Sequence, residues 1–311
     1  MATAFLFPGQ GSQSVGMLAG LADDFPQVKA TFAEASDALG FDLWALCQDG
    51  PEADLNRTEN TQPAMLAGDI ATWRAWREAG GPVPEFMAGH SLGEYAALVA
   101  AGVLDFADAA RLVALRGRLM QAATPEGVGA MAAIIGLDDA VLEKICAGIN
   151  GDEIVSCANY NAPGQVVIAG HRGAVDKACE AASEAGARRA LPLPVSVPSH
   201  CALMRDAADE LGEALAQITI NAPAVPVYHN VDVATHDSAD EIVEALARQL
   251  WQPVRWTATI NALGSAGATR FVECGAGKVL AGLNRRINRD AAVTALGSRA
   301  DIEQLIGELQ A

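Results

Sequence analysis

The sequence predicts an α/β protein, a mainly parallel sheet with helical crossovers, interrupted near its middle by a smaller unit. Three observations carry that expectation. Over residues 1–126 short apolar runs alternate with helical periodicities, the pattern of a parallel sheet covered by helices. From 127 to 195 the runs follow the order strand, helix, strand, strand, helix, strand, which is the ferredoxin-like split arrangement. From 196 to 311 helices and strands resume. The expected domains are therefore a large α/β domain (1–126 and 196–311) and an inserted small domain (127–195). The cleft between them is the expected place for a ligand.

The elements follow in chain order. Ala4–Phe7 reads as the first strand, with neither the basic n-region nor the cleavage site of a signal peptide around it. Phe7-Pro8-Gly9-Gln10-Gly11-Ser12-Gln13 is a glycine-rich loop that lacks the third glycine of a dinucleotide fingerprint and any following GK[ST]. Its alternative use is to supply a backbone N–H near a nucleophile, completing an oxyanion hole with the amide of Leu92. Glu85–Ala88, bounded by Pro84, reads as a buried strand, and Leu92–Gly102 as a helix closed by a glycine. Phe106–Ala122 is a helix with an apolar stripe. In the small unit, Ala130–Ile135 is a strand and Asp138–Ala147 a helix. Ile154–Ala158 and Gln165–Ala169 are strands joined by the turn-rich Asn159–Gly164. Ala174–Gly186 is a helix and Arg188–Pro194 a last extended piece. Ser199 is the expected N-cap of a new helix. Arg270–Cys274 is a further strand, and Gly275-Ala276-Gly277-Lys278, whose spacing fails the P-loop, is a strand-to-helix turn.

Composition excludes several classes. The chain has 311 residues, 51% of them apolar, yet no charge-free apolar run approaches the ~20 residues that span a bilayer. The six cysteines show no C-x-x-C pair or metal spacing and read as free thiols, mostly buried, in a reducing cytoplasm. No metal or cofactor is expected. A net charge of −17 argues against nucleic acid. One window departs from that average: Arg270, Lys278, Arg285, Arg286 and Arg289 against Glu273 give a local +4, leaving −21 elsewhere. Such a window reads as a solvated helix face or as a docking patch for an acidic partner.

Gly89-His90-Ser91-Leu92-Gly93 places a serine on a tight strand-to-helix turn. Glycines two residues either side remove the Cβ atoms that would collide there, and the helix N-terminus favours developing negative charge. Ser91 is therefore read as a nucleophile. It needs a base, and of the five histidines His200 stands where the return from the small domain meets a new helix. His90 adjoins the nucleophile and reads as structural, while His171, His229 and His236 lie in loop-like, polar surroundings. No Asp or Glu stands out as a third member, so dyad and triad both remain open. Arg116 has Leu112, Val113, Leu119 and Met120 at helical spacing. A guanidinium on an apolar stripe calls for an anion, either a structural carboxylate or that of a substrate.

These residues carry a family resemblance. The motifs around Gln10, Ser91 and Arg116, together with Asn159-Tyr160-Asn161-Ala162-Pro163-Gly164-Gln165, Val195–His200 and Gln249-Leu250-Trp251-Gln252-Pro253-Val254, keep a distinctive order and spacing. In that order and spacing the chain resembles the bacterial malonyl-CoA:acyl-carrier-protein transacylases over essentially its whole length. The resemblance implies an α/β-hydrolase-like domain with a ferredoxin-like insert. It further implies that Ser91 attacks malonyl-CoA, that His200 acts as base and then acid, and that the Gln10 and Leu92 amides hold the oxyanion. Arg116 would pair with the malonyl carboxylate, and the Gln249 carbonyl would orient His200, giving a dyad. The implied acceptor is the phosphopantetheine thiol of acyl carrier protein in fatty acid synthesis. Because such carriers are acidic, Lys278, Arg285, Arg286 and Arg289 become candidate docking residues, with Arg188 and Arg189 nearby. Where the family has Gly-Pro-Gly-Lys, this chain has Gly275-Ala276-Gly277-Lys278. A thioesterase shares the Ser91 turn but has no need of an arginine on an apolar helix face; a polyketide-type acyltransferase with another extender unit shares the whole pattern, and the length and the Val197-Pro198-Ser199-His200 run favour malonyl.

Overall fold

A computed structural model describes residues 2–125, 127–149, 151–195 and 197–310. The expected domain boundaries fall at 126 and 196, which lie outside the described residues. The strands are β1 (Ala2–Phe7), β2 (Phe86–Gly89), β3 (Gly129–Ile135), β4 (Val155–Ala162), β5 (Gln165–His171), β6 (Arg189–Pro192), β7 (Val227–Tyr228), β8 (Ala268–Glu273) and β9 (Ala292–Ala295). They form a five-stranded sheet in the order β7-β2-β1-β8-β9 and a separate four-stranded sheet in the order β4-β5-β3-β6. Every pairing in the first is parallel and every pairing in the second antiparallel.

The central strand β1 is apolar without interruption because both of its faces are covered. Phe5 and Phe7 point into one core with the helices Pro26–Leu39, Thr58–Glu78 and Phe106–Ala122, whereas Ala4 and Leu6 pack against Trp256, Ile260 and Phe271 on the other face. Phe5 meets Trp73 and Trp76 at ring-centroid separations of 5.6 and 5.3 Å, and burying each such side chain contributes about 2 kcal/mol. Register then sets the position of the site. Phe7 pairs with Gly89 and Leu6 with Glu273, so β1, β2 and β8 end at one level. The loops beyond them form a crevice at the carboxyl ends of the strands, the usual ligand position of open α/β sheets.

In the antiparallel sheet Ala132 and Ile134 face the helices Asp139–Ile149 and Arg172–Glu184. The other face presents Met131, Val167 and Ala169 toward Cys201 of the large sheet's side of the molecule. The expected turn over Asn159–Gly164 is corrected: β4 runs on to Ala162 with two register irregularities, leaving Pro163-Gly164 as the turn. The asparagines that read as turn residues are held in place by partners on two sides. Val254 donates its N–H to Ala158 and accepts from Tyr160, both at 2.9 Å, while Thr257 bonds the Tyr160 carbonyl at 3.1 Å. All six cysteines are free and five are buried. Among the described residues, no helix is long and apolar enough to cross a membrane.

Candidate active site

Ser91 sits between β2 and the helix Gly93–Ala100 with φ 53°, a left-handed conformation that costs a serine about 1–3 kcal/mol. The surroundings enforce it. A Cβ on Gly89 would run into the backbone of Gly93, and one on Gly93 would run into the carbonyl of Phe7. Asn230 clamps the turn from outside: its Oδ1 accepts the Ser91 N–H and its Nδ2 donates to the Gly89 carbonyl, both at 2.7 Å.

The Ser91 hydroxyl lies 2.8 Å from His200 Nε2, and His200 Nδ1 lies 2.7 Å from the Gln249 carbonyl. A carbonyl can only accept, so Nδ1 carries the proton and Nε2 is free to take one. Burial, followed by the nearby Arg116 cation, pushes the His200 imidazole down to about 3, so the ring is neutral at neutral pH. The expected Ser199 cap is corrected. The chain passes through a turn at His200, itself at φ 62°, into a short 3-10 turn Ala202–Met204 that no side chain caps.

Arg116 is 1% exposed. Its Nη1 donates to Gln62 at 2.8 Å, and its Nη2 donates to Gln249 Oε1 at 3.0 Å and to Ser91 Oγ at 3.2 Å. Its guanidinium stands 5.5 Å from the Tyr95 ring centre. Among the described residues no carboxylate pairs with it, which disposes of the structural salt bridge. A cavity of about 290 Å³ opens onto Ser91, His200 and Arg116. Gln10 and Leu92 line it, and neither backbone N–H is engaged by another described residue. The antiparallel sheet supplies the opposite wall through Met131, Ala133 and Val167. His90 is held by Asn161 at 2.8 Å and packs on Trp256.

Lys278, Arg285, Arg286 and Arg289 are all exposed, on or beside the helix Val279–Ile287, and Arg286 reaches across to Gln165. The same helix turns Leu280 and Leu283 into the cavity. Its N-terminus is pinned by the buried Glu273, whose carboxylate accepts the N–H groups of Leu280 at 3.0 Å and Ala281 at 2.7 Å. The basic surface is not uniform. Arg270 is tied to Glu308 at 2.6 Å, and Lys278 and Arg285 share a 230 Å³ recess with Asp301 and Glu308.

Sequence reading missed Gln62, Glu94, His229 and Asn230. His229, expected in an unremarkable loop, is fully buried with Nδ1 2.7 Å from Glu94 Oε1. These partners lie up to about 140 positions apart in the chain, and a single sequence carries no local mark of so distant a contact.

The chain was compared with known proteins. The model of the acyl transferase domain family matches residues 4–307. A malonyl CoA-acyl carrier protein transacylase of Escherichia coli (strain K12) is 58% identical over 293 residues, covering 94% of this chain and 95% of that protein. The solved malonyl CoA-acyl carrier protein transacylase from Coxiella burnetii superposes with a TM-score of 0.99 at 50% identity, over 100% of this chain and 98% of that one. A structure of a type II PKS acyl-carrier protein in complex with its malonyl-transacylase matches with a TM-score of 0.98 at 54% identity, over 99% of this chain and 100% of that one. On identity, coverage and superposition together, this chain is an acyltransferase that belongs to the malonyl CoA-acyl carrier protein transacylase family.

Proposed function

We propose that the protein moves a malonyl group from malonyl-CoA to the phosphopantetheine thiol of holo acyl carrier protein, through a malonyl ester of Ser91, in fatty acid synthesis. The observation that carries this reading is Arg116, a buried cation that no carboxylate among the described residues contacts directly, 3.2 Å from the Ser91 hydroxyl. An acyl group that ends in a carboxylate would fill that vacancy in charge.

In the first half-reaction Ser91 Oγ attacks the thioester carbonyl carbon and its proton passes to His200 Nε2. The oxyanion is held by the Gln10 and Leu92 N–H groups. The carbonyl collapses, the carbon–sulfur bond breaks, and His200 returns the proton to the departing CoA sulfur. In the second half-reaction the carrier thiol gives its proton to His200 and attacks the ester, and Ser91 leaves with that proton. The Gln249 carbonyl orients His200 in both directions, so the pair works as a dyad. Lys278, Arg285, Arg286 and Arg289 are proposed to dock the acidic carrier. The two partners are thus a nucleotide thioester and a protein, neither of them a nucleic acid or a membrane. The fold reading sharpens in the same way. The all-parallel order β7-β2-β1-β8-β9 behind the serine turn supports an α/β-hydrolase-like domain of 1–126 and 196–311. The order β4-β5-β3-β6, with both helices on one face, supports a ferredoxin-like insert over 127–195.

Intact-protein mass spectrometry tests the reading. Malonyl-CoA should leave a malonyl adduct on the wild type and none on Ser91→Ala, and holo carrier should then remove it with the malonyl group appearing on the carrier. An adduct that hydrolyses at the same rate with or without carrier would overturn the transfer in favour of a thioesterase.

A further inference from the structure

Glu94 is fully buried behind the site and touches no part of the cavity. Its Oε1 lies 2.7 Å from His229 Nδ1, and its Oε2 accepts from the Asn230 N–H and from Gln249 Nε2, each at 2.9 Å. Gln249 in turn touches His200, Arg116 and the Ser91 main chain. Its main-chain carbonyl holds His200, its Oε1 receives Arg116, and its Nε2 also donates to the Ser91 carbonyl at 2.9 Å. A side-chain amide can be turned over, and only its partners decide which way it lies. Here a carboxylate that can only accept stands at one end and a guanidinium that can only donate stands at the other. Turned over, Gln249 would set N–H against N–H at Arg116 and oxygen against oxygen at Glu94.

We propose that Glu94 is a positioning residue for acyl transfer, which through the Gln249 amide fixes Arg116 for the acyl carboxylate and counterbalances its charge from one amide away. This rests on the reading of Arg116 as the malonyl clamp. Direct contact with Glu94 would neutralise the guanidinium and compete with the substrate. Separation by one amide leaves the outer edge of the guanidinium to the substrate while keeping a buried anion near a buried cation. Glu94 also accepts the main-chain N–H of Asn230, whose side chain clamps the Ser91 turn independently of that bond.

The test is acylation of Ser91 by malonyl-CoA and by acetyl-CoA, followed by rapid quench and intact mass. Glu94→Gln keeps the side-chain shape, and we expect the malonyl-to-acetyl rate ratio to fall about tenfold, the size of one charge-assisted hydrogen bond. In an Arg116→Ala background the same substitution should leave the ratio unchanged, because the residue it acts through is gone. An equal loss for both donors, or the same fall in ratio with Arg116 absent, overturns the proposal and leaves Glu94 a packing residue. If Glu94→Gln does not fold, Gln249→Met carries the test, since it keeps the main-chain acceptor of His200 and removes the relay together with the bond to the Ser91 carbonyl. A lowered ratio then supports the relay, and an unchanged one overturns it. The clamp is checked by Arg116→Ala alone: an unchanged ratio there refutes the malonyl reading, and the positioning role with it. A ratio that falls in Arg116→Ala but holds in Glu94→Gln refutes the positioning role alone.

Discussion

Arg116 and His200 converge on one hydroxyl, and their charges oppose each other. The guanidinium stabilises an alkoxide but holds the imidazole far below the ordinary histidine range, second only to burial in doing so. Because the folded value lies below the unfolded one, the folded protein binds fewer protons between about pH 3 and about pH 6.5, and this contribution to stability is lost as pH falls through that window. For the proposed mechanism the consequence is that His200 would already be an unprotonated base at neutral pH. The rate of Ser91 acylation, measured by stopped or quenched flow from about pH 4 to about pH 8, should therefore show no ionisation near the ordinary histidine value of about 6.5. In Arg116→Ala one depressing charge is gone, so the acid limb should move to higher pH. A wild-type midpoint near 6.5, or a limb that moves the other way in the variant, would show that Arg116 does not govern the base.

The strand-turn-helix element that carries Ser91 is held by close backbone approaches rather than by side-chain packing. Gly93 is among its tightest points, since a methyl group there meets the Phe7 carbonyl, which belongs to the central strand and cannot swing aside. Gly93→Ala should lower unfolding free energy by about 1–3 kcal/mol, as overpacking does, and should slow malonyl adduct formation. Denaturant unfolding at the wild-type midpoint would mean that the turn has room. This element was legible in the sequence because its constraints are local: two glycines, a serine and an apolar run within a dozen residues. The same holds for Arg116, whose apolar neighbours are spaced by one helix. The Leu92 amide and the glycine-rich loop after β1 were legible as an oxyanion hole, whereas Gln10 as the donor within that loop and Gln249 were named through resemblance. Asn230, Glu94 and His229 were not legible at all, because a buried polar cluster assembled from Glu94 and the loop after β7 leaves no periodicity behind. The Asn159–Ala162 stretch failed for the opposite reason, its turn-forming composition being overruled by pairing with β5 and Val254.

Across the whole molecule, a net charge of −17 disfavours an acidic partner, and the basic residues on and beside the helix Val279–Ile287 run against that average. Reversal of charge at Arg285 and Arg286 should raise the KM for holo carrier, most strongly at low salt, and leave that for malonyl-CoA nearly unchanged. If both substrates respond alike, the surface does not dock the carrier and Asp301 and Glu308 define its character instead. The seam between the two sheets matters in a different currency, that of time. β4 is stitched to the 254–257 segment by a run of backbone and hydroxyl hydrogen bonds, and Asn161 is fastened to His90 beside the nucleophile. In the proposed mechanism, an ester that sits on Ser91 between the departure of one thiol and the arrival of another would be exposed to water for that whole interval. Walls fastened to each other at the serine turn do not gape while the enzyme idles. On the proposed mechanism the lifetime of the loaded enzyme would then follow the reactivity of the ester itself, and a loaded molecule would outlast many fruitless encounters before a carrier arrives.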